Sequence, residues 1–316
     1  MTVERTAKAA ALCCGLFVGS ALSQVLPESG PVPATLVQRL LVVDAARVGP
    51  RIVAVGDRGY ILSTEDGKAW KRAKAPAAPL LTAVRFVDAK RGWAVGHDTV
   101  ILATTDGGDT WTQQLSDPKE GRPLMDVLFL DAERGMAVGA YGAFYETGDA
   151  GKTWKERKVS EDDKHLNAIV ALDAQRLLIL GEAGTLLVSG DGGQKWTAVA
   201  SPYKGSLFGA VVAADGAVVA YGLRGRIFRS TDAGRTWKAV ENASQATLMG
   251  STRLEDGSLV LAGAAGTVLL SRDNGLTFGP IATSTTRVFA KPVAMGPDTL
   301  LLLGEAGPRP VTLPRR

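Results

Sequence analysis

Residues 104–111 read T-T-D-G-G-D-T-W, and the same pattern, S/T-x-D-x-G-x-T-W, returns at 63–70, 147–154, 189–196, 230–237 and 271–278. The closing aromatics Trp70, Trp111, Trp154, Trp196, Trp237 and Phe278 are spaced 41, 43, 42, 41 and 41 residues apart. A period near forty with one turn motif per repeat restricts the chain to a radial or stacked repeat architecture. Within the motif, the carboxylates of Asp106, Asp149, Asp191, Asp232 and Asp273 are placed to accept amide hydrogen bonds from their own turn. The glycine two positions later supplies a backbone conformation that a Cβ resists. The aromatic opens the next strand, where a large ring buries roughly 150–250 Å² between neighbouring units. Five of the six tryptophans sit here, which assigns them to architecture rather than chemistry. The copies are not identical: Glu65 stands at the aspartate position, Ala69 and Lys195 at the threonine, and Phe278 at the tryptophan.

Between the turns the chain reads as short strands. In one repeat, apolar runs at 166–172, 176–180, 185–188 and 195–200 are separated by turn residues, giving four strands in about forty-two residues, the content of one propeller blade. A second turn, G-x-x-G, counts the blades independently. It occurs at Gly56/Gly59, Gly139/Gly142, Gly181/Gly184, Gly222/Gly225, Gly263/Gly266 and Gly304/Gly307, with Gly96/Thr99 its equivalent. That makes seven units, one more than the boxes. The chain is therefore expected to be an all-β, seven-bladed β-propeller of four-stranded antiparallel blades over 36–316. The last unit lacks a box and an outer strand, and residues 34–37 are expected to supply that strand, closing the ring with strands from both chain ends and removing exposed sheet edges. None of the G-x-x-G copies opens a helix after a strand, so they are not nucleotide loops.

The repeat resembles the Asp box, or bacterial neuraminidase repeat, of β-propellers. As a whole it is most similar to the photosystem II stability and assembly factor family and its relatives in non-photosynthetic bacteria. The resemblance covers about 36–314. It implies a protein that holds a segment of a membrane-protein partner during maturation, a reaction-centre subunit in the photosynthetic members and another envelope complex, such as a transporter, here.

Residues 1–23 read as an export signal: Arg5 and Lys8 give a basic start, 9–22 an apolar run, and Ala21 and Ser23 small positions before a cut ahead of Gln24. A span needs about 20 apolar residues, so an uncleaved anchor facing the periplasm is the alternative to a free periplasmic protein. The only cysteines, Cys13 and Cys14, fall in this segment, and the mature chain then has neither disulfide nor thiol nucleophile. Residues 24–35, with Pro27, Pro31 and Pro33, read as an extended lead-in. At net charge +4, with basic residues only in short clusters, no nucleic-acid partner is expected. Neither a metal nor another cofactor is expected, and the ring is expected to be a monomer.

In a four-stranded antiparallel blade successive turns alternate between ends, so the boxes share one face and the G-x-x-G turns and inter-blade links share the other. Propellers usually bind ligands at the channel mouth on that second face. Its rim includes Arg58, His97, Tyr141, Glu182 and Arg224, to which the links add His165, Tyr203 and Lys204. Tyr203, Lys204 and Arg224 are expected to cluster, with Arg58 across the channel, as a protein-contact surface, since Tyr and Arg most often anchor interfaces. The two histidines, on separate blades, make a weak metal site. The innermost strands carry a column of small residues, Ala83, Ala168, Gly209, Gly250 and Ala290, interrupted by Asp126, a carboxylate expected to face the channel or pair with a base.

Two functions follow. The first is a non-catalytic exported binding protein that assists assembly or stability of a membrane or envelope complex. The second is an Asp-box glycoside hydrolase of sialidase or glucanase type, which needs a carboxylate pair about 5–10 Å apart or a tyrosine nucleophile. The sialidase Arg-Ile-Pro motif is absent, as neither Arg51-Ile52 nor Arg226-Ile227 is followed by proline. A calcium-stabilised scaffold is disfavoured because the box aspartates lack the alternating acidic pattern of a calcium loop.

Overall fold

The computed structural model describes residues 28–305 and 307–314. The export segment, its cut site and both cysteines lie outside the described residues. In blade four the strands are Leu166–Ala171, Leu177–Gly181, Leu186–Ser189 and Thr197–Ala198, each paired antiparallel with the next. The second of them, L-L-I-L-G, is buried at every position. A continuous apolar run of that length suits a strand covered on both faces, and here the covers are the neighbouring blades. Seven such sheets follow one another along the chain, and the first strands of adjacent blades abut around an axis, blade seven against blade one included.

Seven apolar clusters hold the ring, one between each pair of adjacent blades. Trp70, Trp111, Trp154, Trp196, Trp237 and Phe278 each pack between their own blade and the preceding one. Leu313 is buried in the remaining cluster, between blades six and seven, where no box aromatic exists.

The all-β seven-bladed fold is as expected; the closing strand is not. Residues Ala34–Val37 form one helical turn, with Val37 buried against blade one. The preceding Gly30–Val32, within the stretch read as lead-in, pairs with Trp70–Arg72 and gives blade one a fifth strand. Blade seven keeps three strands, Phe289–Gly296, Thr299–Gly304 and Arg309–Thr312. The ring is closed instead by side chains: Val293, Leu301 and Leu303 of blade seven pack with Val42, Ile52 and Leu62 of blade one, and Arg47 donates to the Ala294 carbonyl at 2.6 Å. The outer edge left on blade seven is poor at pairing. Leu313 N–H donates inward to Asp298, so by strand alternation Pro310 faces outward, where it offers no N–H.

The box corners show why their residue types recur. Asp106 accepts the amides of Asp109 and Thr110 at 3.0 and 2.9 Å and the Thr110 hydroxyl at 2.5 Å. Thr104 Oγ1 donates to Asp106 and accepts the Gly108 amide. Trp111 Nε1 donates to Gly108 O. In the first copy the aspartate is not lost to Glu65. Thr64 and Asp66 take the two roles in a corner one residue shorter, Asp66 accepting the amides of Lys68 and Ala69. Lys195 supplies an amide to Asp191 but no hydroxyl.

These donors favour the ionised carboxylate. The Thr153 hydroxyl and amide hold Asp149, and the Thr236 hydroxyl and amide hold Asp232, at about 2 rather than 3.8. In the turns joining first and second strands, amides two and three residues on draw Asp88, Asp131 and Asp173 to about 2 as well. A carboxyl lowered on folding stabilises the native state above its unfolded pKa and loses that contribution as pH falls through the folded one. The urea midpoint is therefore expected to hold from pH 7 to about 5 and to fall between about pH 4 and 2. A midpoint unchanged down to pH 2 contradicts this account.

Candidate functional site

The two ends of the ring differ as the strand order requires. Boxes lean on the turns between first and second strands, as in Gly107 N–H to Lys90 O and Ala150 N–H to Glu133 O. The G-x-x-G turns lean on the inter-blade links: Thr99 N–H donates to Arg122 O, Gly142 N–H to Lys164 O and Gly184 N–H to Gly205 O. In these turns the second middle residue is left-handed, with φ of 54° at Arg58, 55° at Tyr141 and 58° at Arg224, and each of the three side chains projects on the G-x-x-G face.

The seven first strands enclose an axial cavity of about 920 Å³. At its mouth on the G-x-x-G face stand the second residues of those strands, among them Val43, Met125, Phe208 and Met249. Four large apolar side chains are exposed among the described residues, and three of them, Tyr141 (60%), Met249 (42%) and Leu41 (40%), lie on this face. They stand on three different blades, one, three and six, and of the three Met249 alone lines the cavity.

Deeper in the channel lies an ionic cluster that the sequence reading caught only in part. Asp126 does pair with a base: Arg85 Nη2 donates to it at 2.8 Å, and Asp126 also accepts the amides of Val127 and Ile169. The other Arg85 nitrogen binds Asp44, which accepts the Val84 amide and lies 3.3 Å from Lys291 Nζ. Asp44 and Lys291 belong to the same column as Asp126. Register places Lys291 opposite Leu303 as Asp126 is opposite Val138, so Lys291, not Ala290, is the column residue of blade seven. Aligning V-V-D at 42–44 with L-M-D at 124–126 would have found Asp44. The column is small elsewhere for a local reason: a Cβ at Gly209 would lie 2.4 Å from the Tyr221 hydroxyl and one at Gly250 2.0 Å from Ala290 O.

The cluster's electrostatics are set by burial against paired charge. Burial pushes the Asp126 carboxyl up, and the Arg85 charge does not fully offset it. Burial also acts to raise Asp44, but Arg85, Lys291 and the Val84 amide together outweigh it and hold the carboxyl below its ordinary value. Tyr221, its hydroxyl donating to Ser251 at 3.0 Å, is pushed up to about 12 by burial. Each carboxylate thus accepts two or more donors, three of them amides of the strands themselves, and Asp44 and Asp126 tie blades one to four and seven together.

The remaining rim residues divide. Arg58, Lys204 and Arg224 are exposed, and Arg58 pairs with Asp57 at 3.5 Å. Tyr203 is no free neighbour of theirs: its ring packs on Phe228, centroids 6.0 Å apart, within the core between blades four and five. His97 is half-buried on blade two. His165, on the link into blade four, meets Tyr141 edge to face at 4.9 Å and lies 3.6 Å from Glu182. The two histidines are not brought together, and no group of three metal-ligating side chains occurs among the described residues. No described helix is long and apolar enough to cross a membrane.

Asp-box corners on a closed ring of seven blades, with an apolar channel mouth on the opposite face, define a β-propeller of the Asp-box class. Its family is given by the repeat itself: the chain belongs to the family described as photosynthesis system II assembly factor YCF48, whose model matches residues 62–122 and 114–277. Among solved structures it is similar to YCF48 bound to a D1 peptide, at 23% identity and TM-score 0.69 over 91% of this chain and 96% of that one. YCF48 from Cyanidioschyzon merolae matches at 18% identity and TM-score 0.68, over 90% and 98%. The GH74 enzyme of Niastella koreensis shares the fold at 14% identity and TM-score 0.67, over 90% of this chain and 53% of that chain. No curated protein is significantly similar in sequence.

Proposed function

We propose that this protein is a non-catalytic, exported docking platform that receives an extended segment of a membrane or envelope protein at the channel mouth and assists the assembly or stability of the complex that protein enters. The observation that carries the reading is the apolar channel mouth, where Val43, Met125, Phe208 and Met249 line the opening into a large cavity, on a face that also exposes Leu41, Tyr141 and the cations Arg58, Lys204 and Arg224. Apolar side chains of a partner enter the mouth while its polar groups meet the rim, the usual division of a protein interface. Membership in an assembly-factor family, and the peptide held by the YCF48 structure, support a protein as the ligand.

The glycoside-hydrolase reading has one observation in its favour, two channel carboxylates with oppositely shifted pKa values in a fold shared with a GH74 enzyme. A general acid or nucleophile must present a free oxygen to substrate. Asp44 and Asp126 are instead engaged by Arg85, Lys291 and backbone amides.

Photo-crosslinking residues introduced in cells at Met249 and Arg224, with Lys195 on the box face as control, test the proposal. Capture of an integral membrane or envelope protein from the first two positions and not from the third is expected. Capture from Lys195 alone, or no partner together with sugar release by purified protein, overturns it.

A further inference from the structure

Two turns and a link meet at the corner between blades three and four. Tyr141 stands on the G-x-x-G turn of blade three, His165 ends the link, and Glu182 opens the turn of blade four. Their backbones are bonded to one another, Gly142 N–H to Lys164 O and Glu182 N–H to His165 O, so the three side chains are presented by fixed supports. Tyr141 is the most exposed large apolar side chain on this face, its ring edge to face with His165. His165 also lines the axial cavity, which makes the corner continuous with the channel mouth.

The charge at this corner is unbalanced. Lys158 pairs with Glu161 at 3.0 Å and Lys164 with Asp162 at 2.8 Å. That leaves Glu182 and the exposed Asp163 with no lysine or arginine within ion-pair distance among the described residues. An accessible tyrosine ring and a carboxylate without a lysine or arginine partner, each against the same imidazole, together can receive a cation, the ring by its quadrupole and the carboxylate by charge. The exposed cations named on this rim, Arg58, Lys204 and Arg224, stand on blade one, on the following link and on blade five.

We propose that Tyr141, His165 and Glu182 form a subsite for a basic side chain of the docked protein segment, next to the apolar residue that enters the channel mouth. The inference rests on the docking reading above. Arginine fits better than lysine, because its planar guanidinium can lie on the Tyr141 ring while its fork meets the Glu182 carboxylate. The ligand is then a segment of amphipathic pattern, an apolar residue for the mouth and an arginine close to it in the chain.

Selection of a random dodecapeptide display library on the purified protein tests this. Peptides enriched on the native protein are expected to share apolar residues and an arginine at a constant offset. Tyr141→Leu and Glu182→Gln are each expected to weaken binding of the arginine peptides about tenfold while leaving binding of their arginine-to-alanine counterparts unchanged. Glu182→Lys is expected to exchange the arginine preference for an acidic one. Enriched peptides without a basic preference, or with one that survives all three variants, overturn the subsite and leave the docking face intact. Enrichment of no peptide, or enrichment that Met249→Lys and Phe208→Lys leave unaltered, overturns the docking reading and the subsite with it.

Discussion

Gly263→Ala is expected to lower the unfolding free energy by about 3 kcal/mol, at the upper end for overpacking a core with one methyl group. The added Cβ would lie 2.0 Å from the Thr247 carbonyl oxygen and 2.9 Å from Leu248 Cα, both backbone atoms that cannot swing aside. Handedness is not the cause, since φ at Gly263 is −172°, an extended value open to any residue. Crowding is. The same approach recurs in every blade, where the first glycine of the turn, at 56, 96, 139, 181, 222, 263 and 304, has the carbonyl of the incoming link 2.0–2.3 Å from where its Cβ would stand. Gly148→Ala, with nothing within 4 Å, is the control and is expected to change stability by less than about 0.5 kcal/mol. Urea unfolding followed by tryptophan fluorescence measures both; similar losses in the two variants would remove the steric explanation.

Arg85→Met carries the second large effect, because it strands two carboxylates. Asp44 and Asp126 share one guanidinium, and without it they are left close to the axis with Lys291 as the remaining cation, on Asp44 alone. Breaking a buried pair by removing one partner costs about 3–5 kcal/mol. Arg85 keeps 35% of its side-chain exposure to the channel, so water reaches the site and the lower end, about 3 kcal/mol, is expected. Adding Asp44→Asn and Asp126→Asn to Arg85→Met is expected to recover most of the loss, since the amides need no counter-charge. A triple variant as unstable as the single one would assign the loss to packing of the arginine stem instead.

The parts of the fold legible in the sequence were those set by local chemistry. Asp106, Thr104, Gly108 and Trp111 satisfy one another within eight residues, so their pattern marks a corner without reference to the rest of the chain. The first copy misled because Asp66 sits one residue late in a shortened turn, and a rigid template placed Glu65 at its position. The closing strand misled for another reason. A short segment rich in proline and small residues has no pattern of its own, and its place depended on which edge was free to pair: that of Trp70–Arg72 was, while the blade-seven edge carried Pro310. Tyr203 read as a rim residue from its place in a link, whereas the ring turns inward onto Phe228, a choice made by tertiary burial.

Period, turn chemistry and runs of apolar residues are properties of neighbouring residues. The amino-acid sequence by itself therefore determined the number of blades, the corners that fasten them and the two faces on which the turns fall. Asp44, Arg85, Asp126 and Lys291, in contrast, are separated by about forty residues or more along the chain, and the corner of Tyr141, His165 and Glu182 is drawn from two blades and the link between them. Only the closure of seven first strands around one axis brings such residues within bonding distance. Convergence at the axis and packing between blades are long-range events, and they decided what the working face presents.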